Sequence, residues 1–382
     1  MKVALLELCS LTHYEPLVNK AECLLAAGHD VHLFVLSEFS SEVEYLSKKY
    51  SNNLKTHLFL PKHTEIDVYL RDMRGYNFDI LIINTFLSAK SMWFLDTRAI
   101  ARRTMLCLQN AHEWCGAISS FQIKPILKKM LIKHFLRQVD CLSVGLQETK
   151  GYIENSTNCK IPVIVTPFSV NKSAKMMAVE FPKIEFNKDK INVVIPGTYS
   201  IQRRCYLELF EDLKNNRVAD FANTCFWLLG GPTTKLHDHS SKVLDGASEL
   251  IRQGYDIRFF NEFIDTELYR FIMSRADLIF SPIRVEGIKN EVYGVTKDTG
   301  CTWDMVRYAK SAILPSKLVI PDGLSAFVVR YVIISDATDY ISTMTKESVA
   351  EVNKAAEVVM NRNFGADEFA KKLLNDIYSI TR

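Results

Sequence analysis

The chain has 382 residues, 48% of them hydrophobic and 24% charged, and carries a formal net charge of +3. That composition excludes disordered, collagen-like and low-complexity architectures, and so mild a charge gives no reason to expect a nucleic-acid partner. At roughly 100–200 residues per domain, the length predicts two domains, each with its own core.

Short apolar runs alternate with amphipathic stretches, the pattern of parallel sheets with crossover helices. Residues 3–8 read as a strand, 16–27 as a helix stopped by Gly28, and 31–36 as the next strand. Buried-type runs follow at 79–83, 104–108, 141–144 and 163–166. Residues 171–190, with their lysines, two methionines and Pro182, break the rhythm and read as an interdomain linker. A second series then starts: strand 191–195, a helix from about Arg204, strands 225–229, 257–260, 278–281 and 311–314, and helices 347–361 and 366–380. The expected fold class is α/β, two Rossmann-like doubly wound domains facing a cleft, with ligands beyond the carboxyl ends of the strands. The expected boundaries are 1–170, a linker at 171–190, 191–361, and a C-terminal helix at 362–382 that crosses back to the first domain.

Nine cysteines, Cys115 and Cys159 among them, are scattered without a Cys-x-x-Cys pair. That spacing fits reduced thiols better than secreted disulfides or a zinc site. The N-terminal apolar run ends at Glu7, and no uncharged stretch approaches the ~20 residues a membrane span needs. A cytoplasmic protein is expected, with attachment to the inner face of the membrane left open by one helix. Residues 122–138 carry Lys124, Lys128, Lys129, Lys133 and Arg137. At helical spacing Ile123, Ile126, Leu127 and Met130 share a core face, whereas Ile132 and Leu136 fall among the lysines, a pattern suited to anionic headgroups.

Two loops of the second half suit an anion. In 196–204, a strand ends at Gly197, and Arg203 and Arg204 stand at the start of the next helix. Guanidinium groups and unpaired helix N–H groups then point the same way. In 293–302, Thr299, Gly300, Cys301 and Thr302 open a helix with small residues, Lys297 adds charge, and Asp304 lies in the first turn. Paired, the two loops indicate a diphosphate. Gly230 and Gly231 mark a turn after a strand. The segment 236–239, with His237 and His239, is a weak metal candidate, and no Asp-x-Asp pair is present to hold a metal against a diphosphate.

The order of these segments resembles the GT-B glycosyltransferases, closest to the retaining family 4 type. Gln138-Val139-Asp140-Cys141-Leu142-Ser143-Val144 with Thr149 looks like the segment closing that family's first domain. Ile161 through Val170 looks like its domain junction, with Phe168 and Ser169 in place of asparagine and glycine. Arg275-Ala276-Asp277-Leu278-Ile279-Phe280-Ser281-Pro282 is the most specific match. The resemblance implies a sugar transfer from a nucleotide-diphosphate donor to a glycan or lipid-linked acceptor, as in surface polysaccharide synthesis, with no cofactor and no metal.

It also implies site roles. Arg203, Arg204 and Lys297 would face the diphosphate, with Gly197, Thr198, Tyr199, Gly230 and the backbone of Thr299, Gly300, Cys301 and Thr302. Asn261 and Phe263 would lie against the base, Glu286 or Glu291 against the donor sugar, and Asp304 against the ribose. His112 takes the place of the family's cleft-facing histidine, and Glu113 would be a base if the reaction inverted. His13 and Tyr14 would line the acceptor side, where the family's first-loop glycines are missing. The family's two glutamates stand at a fixed spacing that neither glutamate keeps with Asp304. Two other readings fit the same fold: a nucleotide-sugar epimerase or hydrolase, or a non-catalytic glycan- or nucleotide-binding subunit.

Overall fold

The computed structural model describes every residue except 9–13, 61–67, 69, 86–94, 118–122, 167–168, 171–180, 182–183, 234–238, 288–289 and 382. The chain divides into two compact units, one of Met1–Phe168 with Ala366–Arg382, the other of Ser169–Gly365.

Seven parallel strands form the first unit's sheet: β1 (Lys2–Glu7), β2 (Asp30–Leu36), β3 (Leu54–Phe59), β4 (Phe78–Thr85), β5 (Ala101–Cys107), β6 (Cys141–Val144) and β7 (Val163–Val165). Their order is β3-β2-β1-β4-β5-β6-β7. The second unit holds β8 (Ile191–Pro196), β9 (Thr224–Leu229), β10 (Ile257–Arg258), β11 (Leu278–Phe280), β12 (Ala312–Pro315) and β13 (Val328–Tyr331), in the order β10-β9-β8-β11-β12-β13. Helices cover both faces of such sheets, so central strands are continuously apolar. Ile80, Leu81, Ile82 and Ile83 of β4, and Val193, Val194 and Ile195 of β8, are fully buried.

Three aspartates secure the amino ends of these strands. The backbone N–H of Lys2 donates to Asp79, that of Thr104 to Asp140, and that of Asn192 to Asp277, each at 2.8 Å. Lys346 Nζ, 2.7 Å from Asp277, adds an ion pair. Asp140 and Asp277, which stand in the segments that resemble the family, therefore act here as strand-pinning carboxylates.

Several elements differ from the sequence reading. β10 ends at Arg258 rather than at residue 260. β3 and β13 went unread, because their outer positions are half-exposed and break the apolar run. The described part of the expected linker is no free tether: Phe181, Ile184 and Phe186 pack on the second unit's core, Phe186 stacking on Trp227 with ring centroids 4.5 Å apart. The remainder, 171–180 and 182–183, lies outside the described residues. The last helix, Ala366–Thr381, buries Phe369, Leu373 and Ile377 in the first unit's core.

The helix Ile123–Leu136 presents the opposite face to the one its spacing predicts. Lys129, Ile132 and Phe135 point inward, while Ile123, Leu127 and Met130 are 74%, 54% and 61% exposed. Phe135 anchors the inner face, and Lys129 tolerates burial because its ammonium donates to the carbonyls of Glu113 and Trp114 at 3.1 and 3.0 Å. No helix among the described residues is long and apolar enough to cross a membrane.

Candidate active site

Strand order reverses between β8 and β11, the point where doubly wound sheets take ligands at their carboxyl ends. The loop after β8 turns at Gly197, with φ +100°, and its N–H donates to Leu229 O at 2.6 Å. Gly230, at the end of β9, sits so close that a Cβ there would lie 2.6 Å from the Gly197 carbonyl. Tyr199 N donates to Gly231 O at 3.0 Å, tying the β8 and β9 loops together. Beyond β10, Asn261 and Phe263 are exposed, Phe263 by 58%, and Gly231 abuts the Glu262–Phe263 backbone.

The β8 and β11 loops meet at Arg204. Arg204 forms an antiparallel bridge with Ile283, Cys205 N donates to Pro282 O at 2.7 Å, and Arg284 N to Arg203 O at 2.9 Å. The Arg204 guanidinium lies against Gly197, with Nη1 donating to Thr198 O at 3.0 Å. Its Nε is buried and has no hydrogen-bond partner among the described residues. Arg203 has no ion-pair partner among them either.

The helix Gly300–Tyr308 begins beside this arginine. Burial pushes the Cys301 thiol up, while hydrogen bonds to Ser281 and Thr299 and the Arg204 charge pull the other way, so Arg204, the end of β11 and the helix start share one neighbourhood. Thr299 Oγ1 is 3.2 Å from Cys301 Sγ. Thr302 is 2% exposed, and its hydroxyl has no partner among the described residues. Gly300 is exposed and a Cβ on it would meet nothing nearer than Asp304 Oδ2 at 4.0 Å, which leaves the first turn's N–H groups approachable.

Not every expected residue faces this crevice. Tyr199 is wholly buried, its hydroxyl donating to Leu228 O and accepting from Phe260 N, both at 2.9 Å. Its side chain builds the loop rather than binding a ligand. Asp304, 4% exposed, accepts the Tyr269 hydroxyl at 2.6 Å and has Arg307 Nη1 at 3.3 Å. The carboxylate expected at a ribose is thus engaged inside the fold by Tyr269 and Arg307. Lys297 is committed to Glu291 at 2.7 Å, so the cation assigned to the diphosphate and a glutamate assigned to the sugar neutralise one another. Glu286 is 79% exposed, with Lys317 3.7 Å away.

Ser281, read in sequence as the end of a strand, is 2% exposed just past β11, and one residue went without a role in the sequence. Asp298 is half-buried, with a buried Oδ1 that has no partner among the described residues, and desolvation pushes its carboxyl up to about 7. Nothing local in the sequence signals the desolvation of this carboxyl.

In the first unit, His112 lies on the short helix Ala111–Cys115 that follows β5, with Nδ1 3.1 Å from the Tyr152 hydroxyl. Glu113 is exposed and paired with Lys128. At the β1/β4 switch, fully buried Glu7 accepts from Asn84 Nδ2 at 2.7 Å and from the Thr85 hydroxyl, and Lys20 Nζ donates to Asn84 Oδ1 at 3.0 Å. This polar network stands where first-loop glycines were sought. His13 and the side chain of Tyr14 lie outside the described residues, as do residues 234–238. Among the described residues no three His, Cys, Asp or Glu side chains cluster as a metal site.

No protein-family model matches the chain, and no curated protein matches it in sequence. Solved structures do match. HepE from Anabaena, in complex with UDP and glucose, is 12% identical with a TM-score of 0.63, covering 99% of this chain and 100% of its own. A glycosyltransferase from Rickettsia africae is 15% identical, TM-score 0.62, covering 100% and 98%. Sucrose-phosphate synthase from Thermosynechococcus elongatus is 13% identical, TM-score 0.62, covering 99% and 98%. The chain has the GT-B fold. At such identities the likeness carries the fold alone; within this chain Arg203, Arg204 and the start of the helix Gly300–Tyr308 meet at the β8/β11 crevice.

Proposed function

We propose that this protein is a glycosyltransferase, moving a sugar from a nucleotide-diphosphate donor to a hydroxyl of a glycan or lipid-linked acceptor, with retention and without a metal. One observation carries the reading. At the β8/β11 switch, an arginine with an unpartnered buried Nε meets the N-terminus of a nine-residue helix whose Thr302 hydroxyl is also unpartnered. As the bond to the anomeric carbon breaks, negative charge grows on the departing diphosphate. Arg204, Arg203 and the N–H groups of Gly300 to Thr302 supply fixed positive charge and dipoles to that position. The exposed Phe263 ring offers a stacking face for the base. Glu286, 79% exposed, is the carboxylate assigned to donor-sugar hydroxyls.

The test is a thermal-shift panel of nucleoside diphosphates and their sugars, followed by acceptor-dependent nucleotide release with the donor that binds. Arg204→Ala should lower kcat by about 100-fold, the usual loss when a charge-stabilising donor is removed. A second reading, a nucleotide-binding subunit without turnover, is favoured by the locking of Asp304 onto Tyr269 and Lys297 onto Glu291. Binding without acceptor-dependent release would support it, and the absence of any nucleotide binding would remove both.

The outward strip Ile123, Leu127 and Met130 lies among exposed Lys124, Lys128 and Lys133. We assign this strip to an anionic bilayer, since apolar side chains enter the headgroup region while lysines meet its phosphates. A lipid-linked acceptor would then be met at its own membrane.

A further inference from the structure

The second unit holds a cleft of about 660 Å³ next to the β8/β11 crevice. Its walls come from the helix Tyr206–Asn215, the loop after β11, the turn after β12 and the segment leading from β13 into the helix Ile334–Thr343. Neither Gly197, Arg203 and Arg204 nor the helix start at Gly300 lines it. The two spaces share the loop after β11, where Ile283 forms a β-bridge with Arg204 and Arg284 N donates to Arg203 O. Small-molecule sites span roughly 300–1,000 Å³, so the cleft has room for one.

The buried lining is apolar: Ile283, Val285 and Tyr331, whose hydroxyl is spent on Ser281 O at 3.0 Å. Val332 and Ile333, also in the lining, stay 79% and 60% exposed, two adjacent apolar side chains left to water. The charges come in pairs. Arg284 Nη2 donates to Glu208 at 2.5 Å and its Nε to Ile201 O at 3.3 Å, while Nη1 has no hydrogen bond to a described residue. Lys317 stands 3.7 Å from Glu286, and Asp212 accepts the Thr338 hydroxyl.

This pairing selects the ligand. An ionic ligand would meet both signs of charge at each place and gain no net attraction. A wholly apolar one would strip water from the Arg284–Glu208 pair and replace none of its hydrogen bonds. A neutral polyol avoids both costs. Its hydroxyls accept from guanidinium N–H groups and donate to carboxylate oxygens, and its C–H faces cover the apolar lining. We propose that this cleft is a carbohydrate site for a short neutral oligosaccharide, separate from the crevice that holds Arg203 and Arg204. The site stands on the cleft alone and does not depend on the transferase reading. In a transferase it would anchor a glycan chain away from the reacting end.

The experiment presents the full chain to an array of neutral, uronate-bearing and amine-bearing oligosaccharides, and carries the tightest neutral binder into calorimetry. Neutral glycans should bind, and an excess of UDP should leave that binding unchanged. Cys205 lines the cleft and is half-buried, so it reports occupancy. With glycan at about ten times its Kd, alkylation of Cys205 should slow about tenfold, while Cys107 in the first unit keeps its rate. Glu208→Gln should weaken the glycan about tenfold, as loss of a charge-assisted hydrogen bond does. Ser316 is an exposed lining residue, and Ser316→Trp should fill the cleft and abolish binding. Circular dichroism guards against misfolding of the variants, and protection of wild-type Cys205 needs no variant. No neutral glycan bound, displacement by UDP, an unprotected Cys205 or full affinity in Ser316→Trp would overturn the proposal. Absence of nucleotide binding would remove the transferase reading and leave this result standing.

Discussion

A Cβ placed on Gly197 would lie 1.9 Å from Nη2 of Arg204. The turn after β8 and the arginine that follows it are therefore one unit: the glycine leaves the space that the guanidinium fills. With φ at +100°, the position also suits glycine alone.

Gly197→Ala should cost about 1–2 kcal/mol from the backbone alone and displace Arg204, weakening nucleotide binding tenfold or more. Gly300→Ala is the informative contrast. Its Cβ meets nothing nearer than 4.0 Å and its φ is ordinary, so stability should hold or rise. If phosphate approaches that backbone, affinity should still fall. Urea denaturation and nucleotide titration of both variants check the pair. Equal affinities for wild type and Gly300→Ala would show that no ligand reaches the helix start.

Asp304 offers a different separation. Its carboxylate is held by Tyr269 and Arg307 inside the fold. Asp304→Asn should destabilise the protein by about 1–3 kcal/mol, the usual cost of breaking a buried charged hydrogen bond. Nucleotide affinity per folded molecule should not change. Stability intact with affinity lost would return Asp304 to the ribose.

The central strands and the crevice loops were legible because parallel strands buried on both faces leave continuous apolar runs, and the loops after them carry the glycines and arginines. Edge strands β3 and β13 were not, since half-exposed positions mimic loops. Tertiary partners also escape a one-dimensional reading. Asp304 stood at a helix start like a ligand-binding acid until Tyr269 was seen to hold it. Lys129 looked solvated until the carbonyls of Glu113 and Trp114 were placed beside it.

That inversion changes which lysines to alter. Lys129 belongs to the interior, so the membrane test uses Lys124, Lys128 and Lys133. Replacing all three with glutamate should weaken binding to anionic vesicles by on the order of 100-fold or more, at roughly 1 kcal/mol per basic residue. Leu127→Ser with Met130→Ser should weaken binding without altering its salt dependence. Vesicle sedimentation reads both, and unchanged binding in the charge-reversed variant would free this helix from any membrane role.

Two desolvated groups predict opposite pH slopes of stability. His32 is 1% exposed and stacks on His57, with ring nitrogens 3.1 Å apart. Burial pushes it from 6.5 down to about 4, with Asp30 opposing and His57, Lys55 and Lys2 adding to the fall. A depressed folded-state pKa means the unfolded chain binds the proton first, so stability present above pH 6.5 is lost as pH falls toward 4. Asp298 runs the other way: burial raises it from 3.8 to about 7, so its contribution is complete below pH 3.8 and disappears as pH rises through 7. His32→Gln should remove a loss of stability as pH falls from 6.5 toward 4, and Asp298→Asn a loss as pH rises from 3.8 toward 7, so the two variants tilt the same acid-to-neutral window in opposite directions. Urea midpoints of wild type and both variants from pH 4.5 to pH 8.5 test this, and profiles that stay parallel to wild type would show that neither group titrates on unfolding.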